Sequence, residues 1–433
     1  MQITKTAKLK IINHTKIFDD TIDIYNKALS FYIGVINKEW NNLEQFTSSK
    51  DKLNYIESIT HITKKHTNIK YSFDKEFYKF PSYLRRACIM EAIGVLSSHK
   101  TRVIQWKEDR EKTLSKGRKF YKKESILNLN PNSFPIFYKS NMFKKIEDGK
   151  ALIKIYKDND WKWIEIKYST KNLKSGQNYR FYGYKEQNPM LVKSGKKYFL
   201  HIPYTANIKL NSTPLKDRKV IGVDLGLTNS AVCSCIDFNG TVIDRLFINQ
   251  SVEKDRLNHQ LHKLSKAKRA SGILNPKPNY WRKINNLQNS ITQDTADKII
   301  KFALKHNADV IVFEYLEKMK IPKDFYGAKR LRAKLQYWAK RKIQNITITK
   351  AKSLGIRHSK VLARGTSMYA FDGSGLVKRL GKRDLAKFKN NKIYHADLSA
   401  SYNIASRYFI KEILKPFSEI KKRLGKWGLQ EDC

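Results

Sequence analysis

Cysteine is scarce in this chain. Only Cys88, Cys233, Cys235 and Cys433 occur, with no C-x-x-C pair. They make no disulfide framework, and a reducing cytoplasm is the expected home. Long apolar runs are missing as well: none approaches the roughly 18 residues of a membrane span. The opening MQITKTAKLK has charge but no apolar core, which argues against a secretory signal. Acid is the last shortage. Against 39 Asp+Glu stand 86 Lys+Arg, a formal net charge of +47.

Such an excess repels itself unless a polyanion accompanies it, so nucleic acid is the expected partner. A basic membrane-surface protein is the competing reading. Against it, the cations are spread along the chain and interleaved with Tyr, Phe and Trp, which suits phosphate contact and base stacking. With 433 residues and 41% hydrophobic content, the chain can fill the cores of two to four domains.

The period of the apolar residues changes along the chain. Tyr25, Leu29, Tyr32, Ile36 and Trp40 recur at helical spacing, as do Ile89, Ile93, Leu96 and Val103, so residues 20–115 read as helical. The second helix carries Arg85, Arg86, Lys100 and Arg102, which we assign to a nucleic-acid face. From about 125 to 212 the period is two. ALIKIY, WKWIEIKY and KYFLHIPY, separated by turn-like DND, KSGQN and KSGKK, predict a small antiparallel barrel or curved sheet. Beyond a linker at 211–218, strand and helix alternate. VIGVDLG, NSAVCSCIDF and VIDRLFI are three successive strands, and DVIVFEYL (309–316) is a fourth. A long basic helix is predicted over roughly 328–353, a fifth strand in HSKVLARG (358–365), and a last helix from near Asp397.

A three-strand meander followed by helix, strand, helix, strand and helix is the order of an RNase H-type domain. Asp224 ends an apolar strand and precedes Gly226, where the backbone can turn closely. Glu314 follows Val310, Ile311, Val312 and Phe313, an interior where a carboxylate is costly unless paired or metal-bound. Asp397 opens the last helix. Singly, these acids have ordinary explanations: a turn, a salt bridge, a cap. Jointly, from two adjacent strand ends and a helix start, they can hold two divalent ions about 4 Å apart, as in two-metal phosphodiester hydrolysis. All-oxygen ligands favour Mg2+ or Mn2+. Asp224, Glu314 and Asp397 are therefore the expected catalytic and metal-binding residues.

VIGVDLGLTNSAV, ADVIVFEYLEK and HADLSASYNIA resemble the three split RuvC motifs of the TnpB family, transposon-encoded relatives of type V CRISPR effectors. The three acids fall on that family's metal-binding acids, and Asn403 on the Asn of its third motif. About the C-terminal half is matched by residues, the N-terminal half by layout and charge. The resemblance implies a multi-domain α/β protein: an RNase H-like RuvC domain, a mixed sheet with helices, preceded by a helical recognition lobe and a small antiparallel β-barrel wedge domain. The expected boundaries are 1–20 for the first wedge strands, 21–120 for the helical domain and 121–215 for the barrel. The RuvC domain spans 216–364, a target-nucleic-acid-binding insertion 365–394, and the last helix and tail 395–433. The implied activity is RNA-guided DNA cleavage, with a structured guide RNA and a double-stranded target carrying a short adjacent motif.

TnpB proteins usually carry a zinc ribbon, two C-x-x-C pairs, between the second and third acids. Here 365–394 has no cysteine: Thr366 and Ser367 match the residues before the first pair, but Tyr369 stands where a cysteine is expected. No zinc is therefore expected. Between the first two acids, 251–288 is dense in cations, and Arg256, Lys266, Lys268, Arg269, Arg282 and Lys283 are assigned to nucleic acid. A solvated basic hairpin is the plainer reading of them. His259 and His262, one turn apart, have no visible third ligand and read as a surface pair.

Two other functions compete: an RNA-guided DNA binder that no longer cuts, and a DNA transposition or recombination accessory protein. The intact triad argues against the first. A tyrosine-type transposase would need a His-hydrophobic-His motif, which is absent, and a free-standing resolvase would not need a basic segment of about 200 residues before its nuclease domain.

Overall fold

The computed structural model describes residues 1–13, 16–63, 66–175, 178–272, 278–315, 339–381 and 384–426. It divides into two compact units, Gln2–Ala206 and Asn207–Cys433, with Met1 belonging to the second.

The first unit begins with strand β1 (Gln2–Lys10). Helices α1 (Asp19–Lys38), α2 (Trp40–Glu44), α3 (Ser49–Thr60), α4 (Phe73–Glu76) and α5 (Ser82–Leu114) follow. Next come β2 (Phe143–Glu147), β3 (Lys150–Lys157), β4 (Asp160–Lys167), β5 (Lys174–Ser175), β6 (Asn178–Tyr179), β7 (Lys185–Glu186), β8 (Met190–Ser194) and β9 (Lys197–Asn207). β2, β3 and β4 form one antiparallel sheet; β9 pairs with β1, β7 and β8 in another. The two are joined where Ile11 bridges Tyr168. The DND turn is a hairpin of the kind its sequence predicts: Asp158 and Asn159 both have positive φ, 52° and 57°, which matches the twist of the flanking strands.

Helices and strands of this unit share one core, from Ala7 and Tyr25 through Leu96 to Ile153 and Tyr204. The stretches 21–120 and 121–215, separate by period, are thus packed as one body up to Ala206. The predicted stripe is buried from Tyr25 through Trp40, but the helix that carries it is interrupted before Trp40. α1 stops at Lys38, and the junction residue Glu39, 3% exposed, gathers Lys70, Tyr71, Tyr55 and Asn42 around its carboxylate. α5 starts directly after Pro81 and is buried only as far as Leu96. Val103 therefore lies in a half-helix with no buried residue.

The second unit centres on a five-stranded mixed sheet of order β12-β11-β10-β13-β14. β10 is Val220–Asp224, β11 Ala231–Ile236, β12 Val242–Ile248, β13 Val310–Tyr315 and β14 Arg357–Leu362. The first three are antiparallel neighbours, while β13 runs parallel to both β10 and β14. Basic helix α6 (Ser251–Ser271) and α7 (Pro278–Lys305) precede β13. Helix α8 (Lys340–Ser353) precedes β14, and the 328–338 part of the expected helix lies outside the described residues. α9 (Ala396–Lys426) closes the unit.

Side chains alternate across a strand, so the sheet buries two faces. Ile221, Val223, Ile311 and Phe313 pack with Ile299, Phe302 and Ile343 of α7 and α8. Val220, Val310 and Val312 pack with Leu398, Tyr402 and Ala405 of α9. Gly222 allows α9 its close approach: a Cβ there would meet the Ser401 carbonyl oxygen at 2.2 Å.

The described residues of the 365–395 segment contain a separate three-stranded sheet, β15 (Lys378–Leu380), β16 (Leu385–Lys387) and β17 (Ile393–His395). Its core is aromatic. Phe388 stacks on Tyr394 at 5.0 Å, and Phe371 meets Phe388, Tyr394 and Tyr402 edge-on. No helix among the described residues is long and apolar enough to cross a membrane.

Candidate active site

Register and alternation together bring the acids to one place. Val223 pairs with Phe313, so the next residues, Asp224 and Glu314, emerge side by side from the carboxyl ends of parallel strands. Residues 220, 222 and 224 share a face, as do 310, 312 and 314, and that face is the one α9 covers. Asp397 is the second residue of α9. The helix that fills the apolar part of the face thus brings the third carboxylate to its edge.

The electrostatics agree with this convergence. Asp224 is pushed well above the usual carboxylate range, first by burial and then by the charges of Glu314 and Asp397. The Arg379 charge and the Leu225 N–H oppose that shift. Burial also raises Glu314, opposed by the Thr366 hydroxyl bond and the Arg407 charge. A carboxylate among carboxylates in a desolvated pocket is stable as an anion only with added positive charge, and its oxygen donors suit a hard divalent cation. The three acids share a neighbourhood in this conformation but not a coordination sphere: among the described residues, no three His, Cys, Asp or Glu side chains are grouped as ligands of one ion.

Several supporting residues lie beyond what spacing reveals. Thr366 Oγ1 donates to Glu314 Oε1. Asn403 Nδ2 donates to the carbonyls of Thr366 and Tyr369, both at 2.8 Å, and so fixes the turn that carries Thr366. Gln344 Nε2 bonds the Glu314 carbonyl at 3.0 Å. Arg379, on β15, donates to the Ser367 carbonyl at 2.6 Å and is the cation that acts on Asp224. The sequence signals for these are the third-motif position of Asn403 and the place of Thr366 before the expected first cysteine pair; neither reveals the contact with Glu314.

The predicted nucleic-acid residues divide. Arg85 is a correction: it is 7% exposed and paired with Glu57 at 3.3 Å. The reason is helical arithmetic, since 85, 88, 89, 92 and 96 form one stripe and Arg85 extends the buried one. Arg86 is half-exposed but shares Glu57, at 3.2 Å. Lys100 stands over the Trp40 ring at 6.0 Å, and Arg102 is exposed. In the second unit, Leu257, Leu264, Ile284 and Ile291 zip α6 to α7 as a hairpin. Arg256, Lys266, Arg269, Arg282 and Lys283 are exposed on it, while Lys268 lies over Trp281 at 5.1 Å. His259 and His262 are both exposed on α6.

A mixed sheet in this order, with acids at two parallel strand ends and at the start of the covering helix, defines an RNase H-like nuclease fold of the RuvC type. Comparison with known proteins narrows the class. The Aq_aa04 family matches residues 3–157. The chain is 30% identical over 122 residues to the uncharacterized protein aq_aa04 of Aquifex aeolicus (strain VF5), covering 25% of this chain and 68% of that one. It is 27% identical over 187 residues to the TnpB-like protein aq_aa05 of the same organism, covering 40% of this chain. That match spans only 60% of the relative's length. Among solved structures, the chain resembles one titled as a Cas12f1–sgRNA–target DNA complex, with a TM-score of 0.54 at 17% identity, over 90% of this chain and 81% of that one. It also resembles the mini-RNA-guided endonuclease CRISPR-Cas_phi3, with a TM-score of 0.53 at 10% identity, over 93% and 92%. The chain belongs to the Aq_aa04 family; it is similar to a TnpB-like protein and shares its fold with Cas12f1 and CRISPR-Cas_phi3.

Proposed function

We propose that this protein is an RNA-guided DNA endonuclease whose RuvC-type site hydrolyses phosphodiester bonds. The observation that carries the reading is the convergence of Asp224, Glu314 and Asp397 at one edge of the sheet, with the first two raised by burial and Asp224 raised also by its neighbours' charge. These three side chains would hold magnesium or manganese, which supply positive charge at the reacting phosphate and its water. The chain's own residues do the positioning. Thr366 orients Glu314, Asn403 holds the turn that carries Thr366, and Arg379, held on the Ser367 carbonyl, adds a positive charge felt at Asp224 that would meet phosphate charge as it develops.

The partners follow from charge and likeness. A net charge of +47 suits a large polyanion. One structural relative is a complex with sgRNA and target DNA and another is an RNA-guided endonuclease, and partners of the same kind are proposed here: a structured guide RNA and a DNA duplex with a short adjacent motif. The exposed cations of the α6–α7 hairpin, together with Arg102, are the proposed contacts; Arg85 is not among them. The 365–395 sheet takes the place of a zinc ribbon, held by its aromatic core rather than by thiolates. The test is to purify the chain, sequence the RNA that accompanies it, and offer DNA duplexes complementary to that RNA with Mg2+. Guided cutting that EDTA abolishes is expected. Binding without cutting by the wild type would favour the nuclease-inactive alternative.

A further inference from the structure

The turn between β10 and β11, residues 225–230, follows Asp224 directly. It is folded tightly on itself and against the third acid: a Cβ on Gly226 would lie 2.9 Å from the Asn229 carbonyl oxygen and 3.7 Å from the Asp397 carboxylate. Any shift of this turn is felt at two of the three acids. Its support comes from outside the sheet. Lys254, in the first turns of α6, sends Nζ to the Leu227 carbonyl at 3.1 Å and to the Thr228 carbonyl at 2.6 Å. One turn earlier, Gln250 Oε1 accepts from Ser230 Oγ at 2.5 Å, while its Nε2 donates to Asp294 at 2.7 Å in α7. The tip and the far end of the turn are both fastened to the base of the basic hairpin.

Lys254 is an odd lysine for a surface helix. Its ammonium donates to neutral carbonyls rather than to a carboxylate, and burial alone pulls it down to about 8. A lysine that only decorated the hairpin would extend its head into water. This one gives up hydration to reach two backbone oxygens beside the acidic site.

We propose that Lys254 is a positioning residue for phosphodiester cleavage. It holds the 225–230 turn so that Asp224 and Asp397 keep their mutual placement, and it ties that placement to the hairpin carrying Arg256, Lys266 and Arg269. The inference rests on the nuclease reading given above. It adds a physical link between α6, a proposed nucleic-acid contact, and the site that cuts.

The test uses the full chain with its copurified RNA and matching DNA duplexes, comparing wild type with Lys254→Met and Lys254→Arg. Two readouts are needed: amide hydrogen exchange in peptides covering 225–230, and the cleavage rate at saturating DNA against the half-saturating concentration. Lys254→Met is expected to speed exchange in the turn about tenfold or more, leaving β13 peptides and Tm unchanged. It should lower the saturating rate by roughly 10- to 100-fold with little change in half-saturation, as misplacement of a catalytic group does. Lys254→Arg, which can still reach both carbonyls, should recover most of that rate. Unchanged exchange in the turn overturns the clamp, and a loosened turn with unchanged cleavage overturns the positioning role. A fall in Tm together with poorer half-saturation and no rescue by Arg would reduce Lys254 to a structural residue. If the wild type does not cut, the nuclease reading fails, while the exchange data still decide whether Lys254 holds the turn.

Discussion

Thr366 matches a family position in the sequence, but nothing there announces that it touches Glu314. Among the described residues, its hydroxyl is the side-chain donor that hydrogen-bonds that carboxylate. Thr366→Val keeps the shape and removes the donor, so it should lower the cleavage rate about tenfold, near the low end of what a residue orienting a metal ligand contributes. Thr366→Ser should retain most of the rate. Equal activity in the Val and Ser variants would remove Thr366 from the mechanism. At the other end of the chain, Glu39 offers a stability test independent of cleavage. Its carboxyl is held down at about 2 from an ordinary 4.5, first by the hydrogen bond from Lys70 and then, against the cost of burial, by Tyr71, Asn42 and Tyr55. A depressed carboxyl contributes stability that is complete above its unfolded value and is lost as pH falls through the folded one. Denaturant unfolding should therefore show stability declining from about pH 4.5 towards 2, and Glu39→Gln should flatten that decline and lower stability at pH 7. An unchanged pH profile in the variant would contradict the assignment.

Among the elements, the strands of the second unit are the most legible in the sequence. VIGVD and VIVFEY are apolar runs because both faces of those strands are covered, by α7 and α8 on one side and α9 on the other. Each run carries an acid at or next to its carboxyl end, Asp224 and Glu314. Arg85 departs from its expected place because a helix face assigned by charge ignores that position 85 continues the buried stripe of Cys88, Ile89 and Ala92. The contacts of Thr366, Gln344 and Arg379 are illegible for a different reason. Each reaches the acids from a separate element through contacts that no local period encodes. Gly222 makes an element-scale prediction. A methyl group there meets the Ser401 carbonyl and the Ala405 side chain of α9, so Gly222→Ala should destabilise the protein by about 1–3 kcal/mol, or more if α9 cannot shift. Unfolding midpoints equal to wild type would show that α9 packs less closely than described. The 365–395 sheet makes another. Phe388 is 2% exposed at the centre of its aromatic cluster. Phe388→Ala should expose this segment to limited proteolysis, whereas a zinc chelator should leave it protected. Protection lost on chelation would contradict an aromatic core in place of metal.

For the whole molecule, charge is the dominant fact. An excess of 47 positive charges makes counterion release a large part of any nucleic-acid affinity, so log affinity should fall linearly with log salt. Replacing Arg256, Lys266, Arg269, Arg282 and Lys283 with Ala should make that slope shallower by about 0.7–0.9 for each phosphate no longer neutralised. The sequence chosen for cutting should not change, because cations on phosphates position without reading bases. A slope that stays constant would mean the hairpin is a solvated surface. The claim that unites these scales is that an RNA chooses the site and the acid triad cuts it. The most direct measurement replaces the guide segment of the bound RNA and maps DNA cleavage by the wild type and by Asp224→Ala in Mg2+. The account predicts that cutting moves to the new complement beside an unchanged adjacent motif, and that Asp224→Ala binds the same target without cutting. Cleavage that stays at the old sequence, or that persists in Asp224→Ala, would contradict it.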